Sequence, residues 1–242
     1  MKRDSVLITG SSKGLGKQLA LVFAENNYNV ILHGRNEENL QRVRDEISDI
    51  GVESIVVQGD LKNYQTIERL YKKAKEKDIS VLINNAAITC PGLSFEDLTE
   101  EQIIEMTKVN LIAPIILSKK IYSLFLGKKY GNIININSLA GLEVKKSRSI
   151  YCATKYGLRG FGDALGLEGK EKNIQIMGVY LSKMKNSLED SFGMDLRLVA
   201  HAIYDSFKLG DVEELVIDGR PKRYKKIKTP VQLVIDGKKY EI

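Results

Sequence analysis

The chain has 242 residues, 43% of them hydrophobic and 28% charged, with a formal net charge of +6. Those values suit one globular domain with a sizeable core and exclude wholesale disorder. The longest uninterrupted apolar stretch, Leu111 to Leu117, is far short of the roughly 18 residues a membrane span needs, and the apolar run behind Met1-Lys2-Arg3-Asp4 is too short for a signal-peptide core. The expected compartment is therefore the cytoplasm. Cys90 and Cys152 lie far apart, which excludes a disulfide scaffold or a zinc ribbon, and His33 and His201 have no ligand-spaced partners, so no metal site is expected. The charge is unevenly placed: residues 1–219 hold 29 basic and 29 acidic side chains, and residues 220–242 hold eight and two. The chain accordingly divides into a body, 1–219, and a basic extension, 220–242.

The body alternates short Val- and Ile-rich runs with stretches of helical period. Strands are expected at Ser5–Ile8, Asn29–His33, Ser54–Val57, Val81–Ile83, Asn132–Ile136, Ile174–Val179 and Glu214–Ile217. Helical patterns such as Lys17–Asn26, Glu37–Asp49 and Gln65–Glu76 lie between them. Seven strands separated by helices predict right-handed crossovers and a mostly parallel α/β sheet, with ligands bound outside the strand C-termini.

Thr9-Gly10-Ser11-Ser12-Lys13-Gly14-Leu15-Gly16 follows the first strand and opens the first helix. Glycines permit close backbone approach, and free N–H groups at a helix N-terminus favour an anion such as a pyrophosphate. The second strand runs into His33-Gly34-Arg35-Asn36. A carboxylate here would hold a ribose 2′-hydroxyl, but the chain offers Arg35, which with Lys13 suits a 2′-phosphate. Further on, Tyr151 and Lys155 stand at i and i+4, on one side of a helix. A free phenol titrates near ~10, and a neighbouring ammonium is expected to lower that value, making the pair suited to moving a proton at a carbonyl oxygen. Ser138, just past the fifth strand, can donate a hydrogen bond to the same oxygen. Asn110 lies in the preceding helical stretch, and Pro114, with no N–H, leaves the Asn110 carbonyl free to accept from a water.

Together these motifs resemble the short-chain dehydrogenase/reductase family over roughly residues 4–218. Asp60 looks like that family's adenine-contacting aspartate, and Asn84-Asn85-Ala86-Ala87 like its Asn-Asn-Ala-Gly motif, with Ala87 in place of glycine. Asn110, Ser138, Tyr151 and Lys155 match its catalytic tetrad one for one. The resemblance implies a doubly wound, Rossmann-like seven-stranded sheet with helices on both faces. It further implies hydride transfer between NADP(H), preferred over NAD(H), and a small carbonyl or alcohol substrate. Tyr151 then serves as general acid/base, Lys155 as its partner and ribose ligand, Ser138 as carbonyl polariser and Asn110 as holder of a water. Cofactor contacts are expected from Gly10, Ser12, Lys13, Gly14, Leu15, Gly16, Arg35, Asp60, Leu61, Asn85, Ala86, Tyr151, Lys155 and Asn186. The glycine-rich stretch after Tyr151 and the helix Asn110–Leu126 are expected to form the interface of a homodimer or homotetramer.

Three departures stand out. Leu181-Ser182 replace the family's Pro-Gly, and Asn186 replaces a nicotinamide-contacting Thr. Lys183 and Lys185 are added cations that suit solvated loop positions or an acidic substrate. The basic run after Gly219 replaces a glycine-rich ending. Leu215-Val216-Ile217-Asp218-Gly219 recurs as Leu233-Val234-Ile235-Asp236-Gly237, and Asp-Gly marks a hairpin, Val231–Ile235 with Lys238–Ile242, appended to the body. The single aromatic of the run, Tyr224, offers little for nucleic acid. Two alternatives to a carbonyl reductase or alcohol dehydrogenase remain open: a 3-oxoacyl-carrier-protein reductase, and a non-catalytic NADP-binding redox sensor.

Overall fold

The computed structural model describes residues 3–90, 93–185 and 193–220, and the backbone of 232–235 and 238–241. Nine strands form one sheet in the order β3-β2-β1-β4-β5-β6-β7-β8-β9. The first seven are parallel: β1 (Ser5–Ile8), β2 (Asn29–Gly34), β3 (Ser54–Gln58), β4 (Val81–Asn84), β5 (Gly131–Ser138), β6 (Ile174–Leu181) and β7 (Glu214–Asp218). All seven expected strands are present, and six extend by one or two residues at the C-terminal end, toward the face where ligands bind. The order reverses between β1 and β4, the doubly wound arrangement.

β8 (Gln232–Ile235) and β9 (Lys238–Glu241) are antiparallel additions. The expected hairpin continues the sheet: Ile217 pairs with Leu233 and Leu215 with Ile235, so the two copies of Leu-Val-Ile are neighbouring strands. The basic run 221–231 and the Asp236-Gly237 turn lie outside the described residues.

Helices cover both faces because each presents one apolar stripe. α1 (Gly14–Glu25), α2 (Glu37–Ile50) and α7 (Leu196–Leu209) share a core with Val6, Ile8, Ile83, Ile134 and Val179. α3 (Tyr64–Glu76) and α5 (Ala113–Lys128) pack on Leu7, Leu82, Ile133 and Ile176, and α6 (Ser149–Lys170) adds Leu165 to that face. Successive strand residues point to opposite faces, so both sets come from the same strands. Expected helix ends hold where capping chemistry exists: the Asn36, Asn63 and Asp195 side chains accept N–H bonds from the first turns of α2, α3 and α7.

α4 (Glu100–Thr107), a π turn (Lys108–Ile112) and α5 form one continuous helix from Glu100 to Lys128, long and apolar enough by composition to cross a membrane. Half of that apolar window is buried within the protein, where Leu117, Ile121 and Phe125 pack on the sheet. Pro114 lies inside this continuous helix, where its missing N–H cannot serve the Asn110 carbonyl four residues back and the helix widens into the π turn. Asn110, whose carbonyl Pro114 is expected to leave free, lies in this π turn.

The glycines of α6 serve packing within the chain as well as any surface role. A Cβ on Gly157 would press on Leu111 at 3.0 Å, and one on Gly169 would meet the Ile174 carbonyl oxygen at 2.4 Å, whereas Gly160 faces open space.

Candidate active site

The Gly10–Gly16 loop folds tightly between β1 and α1. Gly10 and Gly14 adopt φ of +68° and +59°, a left-handed backbone that favours glycine. A Cβ on Gly16 would lie 2.2 Å from the Gly10 carbonyl oxygen, so α1 enters at a distance open only to glycine. No side chain caps α1, in contrast to α2, α3, α4 and α7, so its first-turn N–H groups are left for an anion.

The loop is tied down from both sides. Asn85 Nδ2 donates to the carbonyls of Thr9 and Gly10 at 2.8 and 3.0 Å, and Thr9 Oγ1 accepts from the Asn85 and Ala86 N–H groups. On the other side His33 is buried, its Nδ1 accepting from the Gly10 N–H at 3.4 Å and its Nε2 donating to the Gly59 carbonyl at 3.2 Å. Burial pushes its pKa down to about 4, so the ring is neutral at pH 7 and can accept at Nδ1.

A groove of about 260 Å³ runs beside this loop, lined by Gly10, Ser12, Lys13, Gly14, Arg35, Asp60, Leu61, Asn85 and Ala86 among the expected residues. His33, Gly34, Ala87, Ile88 and Val109 complete it. Leu15 and Gly16 are buried in α1 behind the groove, so their part is to set the helix entry. Lys13 and Arg35 are exposed at its rim, and Asp60 accepts from the Lys62 N–H at 2.9 Å. Uncapped N–H groups, two rim cations and a carboxylate at the far end fit a dinucleotide. Asn186 lies outside the described residues.

The tetrad meets this groove through Asn110, which bonds the groove residue Ile88 and, on α6, Thr154 between Tyr151 and Lys155. Asn110 is buried in the π turn: its Oδ1 accepts from the Ile88 N–H and its Nδ2 donates to the Ile88 carbonyl, both at 2.8 Å, and Nδ2 also donates to Thr154 Oγ1 on α6 at 3.4 Å. This fastens the segment after β4 to the start of α5. Ser138 ends β5, and its Oγ accepts from the Ala140 N–H at 3.2 Å, shaping the 3₁₀ turn Leu139–Gly141. Asn137 bridges that turn and α6, donating to the Lys155 carbonyl at 3.0 Å and accepting from the Ser138 N–H at 2.8 Å.

Lys155 is buried, its Nζ donates to the Ile136 carbonyl at 3.1 Å, and it lies 5.8 Å from the Tyr151 ring centroid. Desolvation lowers its pKa to about 8. Tyr151 shifts the opposite way from the expectation of a lowered phenol. Its burial raises the pKa, and the Ser138 hydroxyl and the Arg148 cation pull it only partly back. Burial disfavours both charged forms, and a lysine held by a carbonyl does not overcome it.

Sequence reasoning missed His33 and Asn137. The available signal for His33 is its place at the C-terminal end of β2, beside the glycine loop. A separate hollow of about 740 Å³ is lined on α6 by Ser149, Cys152, Ala153 and Tyr156 and includes none of the tetrad. These positions lie on the other face of α6 from Tyr151 and Lys155.

Comparison with known proteins identifies the family. The family model for short chain dehydrogenases matches residues 4–195. The chain belongs to the short-chain dehydrogenase/reductase family. A 3-oxoacyl-[acyl-carrier-protein] reductase FabG of Rickettsia felis is 30% identical over 204 residues, 84% of this chain and 81% of that protein. Human short-chain dehydrogenase/reductase 3 is 31% identical over 170 residues, 69% of this chain and 56% of that one. Among solved structures, a short-chain dehydrogenase from Sphingobium yanoikuyae in complex with NADPH superposes with a TM-score of 0.81 at 26% identity, covering 88% of this chain and 86% of that one. An alcohol dehydrogenase from Comamonas testosteroni reaches 0.83 at 24% identity, covering 89% and 86%, and shares the fold. Like other short-chain dehydrogenases, the chain is an oxidoreductase. Residues 196–242, including Arg220, lie beyond the matched family model.

Proposed function

We propose that this short-chain dehydrogenase transfers a hydride between NADP(H) and a small carbonyl or alcohol, with Tyr151 as general acid/base. The observation that supports the reading is a pair of neighbouring features: Asn110 held on Ile88, a residue that lines the groove whose rim bears Lys13 and Arg35, and linked through Thr154 to α6, where Lys155 lies 5.8 Å from the Tyr151 ring centroid. The nicotinamide supplies the hydride when bound. The chain's own residues do the rest. The uncapped α1 N-terminus and the Lys13 and Arg35 cations hold phosphates, Arg35 by a forked pair with a 2′-phosphate. Ser138 Oγ donates to the carbonyl oxygen, and the Tyr151 hydroxyl protonates it as charge develops there. The Lys155 ammonium stabilises the phenolate left behind, and its lowered pKa makes it a proton donor near neutral pH.

Similarity to the named FabG proteins supports a second reading within the same chemistry, reduction of a 3-oxoacyl thioester. A cytoplasmic homo-oligomer built on the outer faces of α5 and α6, where Leu126, Tyr156 and Leu167 are exposed, belongs to the same proposal.

The test is NADPH oxidation, with NADH as comparator, against ketones, aldehydes and 3-oxoacyl thioesters. Turnover with NADPH and its loss in Tyr151→Phe, with NADPH binding retained, is the expected result. Equal efficiency with NADH overturns the cofactor preference. Tight NADPH binding without turnover on any substrate overturns the enzymatic role and points to a sensor.

A further inference from the structure

Arg220, the first residue of the basic extension, is not a free cation. Its Nη1 and Nη2 donate to Glu143 Oε2 and Oε1 at 2.8 and 3.2 Å. Its Nε and Nη2 donate to Asp218 Oδ1 and Oδ2 at 2.9 and 2.7 Å. One guanidinium thus forks onto two carboxylates, a geometry that a point-charge ammonium does not reproduce. The two acids come from different parts of the chain. Asp218 ends β7, and Glu143 lies two residues past the turn that follows the catalytic serine.

That turn is short and tightly bonded. The Ala140 N–H donates to Ser138 Oγ, and the Leu142 and Glu143 N–H groups both donate to the Leu139 carbonyl, at 3.0 and 2.7 Å. On its inner side Gly141 is wedged: a Cβ there would meet Asn137 Oδ1 at 2.9 Å and the Lys155 carbonyl at 3.0 Å. On its outer side the side-chain anchor is Glu143 on Arg220. The root of the extension is itself held, because the Gly219 N–H donates to Ser182 Oγ at 2.9 Å and the Ser182 N–H to the Ile217 carbonyl at 3.1 Å. Ser182 is one of the two residues replacing Pro-Gly, and its hydroxyl makes this tie. Ser138, Leu181 and Ile217 are register partners across β5, β6 and β7, so the clamp closes over the last rung beside the serine.

We propose that Arg220 is a positioning residue for the Ser138 hydroxyl, acting through Glu143 and the turn Leu139–Gly141, so that the root of the C-terminal extension sets the substrate side of the active site. This rests on the catalytic reading above, in which Ser138 meets the carbonyl. Arg220 touches neither the groove nor the tetrad, so cofactor binding is independent of it.

The experiment compares Arg220→Gln, Glu143→Gln and Arg220→Lys with the wild-type full-length chain, by backbone hydrogen exchange and by steady-state kinetics. Both Gln variants are expected to speed exchange at Ala140, Leu142 and Glu143 at least tenfold, leaving β1 and α1 protected. They are expected to lower kcat for carbonyl reduction by roughly tenfold, leaving KM for NADPH within twofold. Arg220→Lys retains one ion pair and falls between. Unchanged exchange over 139–143 in Arg220→Gln overturns the proposal, as does a loss of NADPH affinity in step with kcat, which marks general destabilisation. The exchange arm needs no turnover. Failure of the catalytic reading therefore shows separately, as a wild-type protein that oxidises no NADPH while exchange still reports the clamp.

Discussion

Acidification should unlock the phosphate loop through His33. In the native chain Nδ1 accepts from the Gly10 N–H and Nε2 donates to Gly59, a pattern available only to the neutral ring. Protonation would turn Nδ1 into a second donor facing the Gly10 N–H, inside a buried site. The native pKa of about 4 against an unfolded value of 6.5 corresponds to about 3 kcal/mol, at 1.36 kcal/mol for each pKa step. The sign follows from proton counting. Between pH 6.5 and 4 the unfolded chain binds more protons at this residue than the folded one, so the contribution is full above pH 6.5 and is lost as pH falls toward 4. Over a chain of this length that is roughly 6–12 °C in Tm. Carboxylates also titrate at the lower end, so the assay is a comparison: urea unfolding of wild type and His33→Asn from pH 7.5 to 4. The variant starts less stable, having lost ring contacts, but its profile between pH 6.5 and 5 should be flatter. Parallel profiles would refute the assignment of that slope to His33.

Asn110→Ala should cost about 2 kcal/mol in urea unfolding, because it strips partners from the Ile88 N–H and carbonyl and water recovers part of the loss at a half-buried residue. Asn110→Asp keeps an acceptor for the N–H but turns a carboxylate toward the carbonyl, and so should do no better. Gly16→Ala should destabilise by roughly 3 kcal/mol and weaken NADPH binding measured by fluorescence titration, since its Cβ meets the Gly10 carbonyl oxygen at 2.2 Å. For Lys155, kcat/KM in NADPH, which reports groups of the free enzyme, should fall as pH rises through about 8 and the ammonium is discharged; a profile flat to pH 9.5 rules out that role.

The fold was legible because its signals are local. Val, Ile and Leu runs between amphipathic stretches have few solutions other than buried parallel strands, and all seven were found. Their C-terminal ends ran short for a physical reason. Asn84, Asn137 and Ser138 continue the strand ladder while carrying polar side chains, and polarity reads as strand termination when no partner is visible. Asn84 Nδ2 is in fact spent on Ser118 Oγ and Asn135 Oδ1, both at 2.9 Å, across two other elements. The hairpin was legible as a hairpin from Asp-Gly, but its docking was not, since antiparallel pairing of β8 with β7 depends on an open sheet edge that only the assembled topology exposes.

At the site, residue types and spacing located the tetrad but not its electrostatics. A Tyr–Lys pair at i and i+4 guarantees proximity on a helix, and proximity alone predicts a lowered phenol. Whether Coulomb attraction or desolvation wins is set by depth, and depth comes from β5, the Asn137 bridge and the turn under Glu143. In the folded chain desolvation wins at both residues, raising Tyr151 and lowering Lys155. The +6 of the chain misleads for the same reason. Of its eight C-terminal cations, Arg220 is consumed by Glu143 and Asp218, an acid from the Ser138 turn and another from β7. A cation count treats that residue as solvent-facing charge, whereas its position makes it a strut. What decides its role is the pair of carboxylates that converge on it from Glu143, 77 positions away, and from the neighbouring strand end.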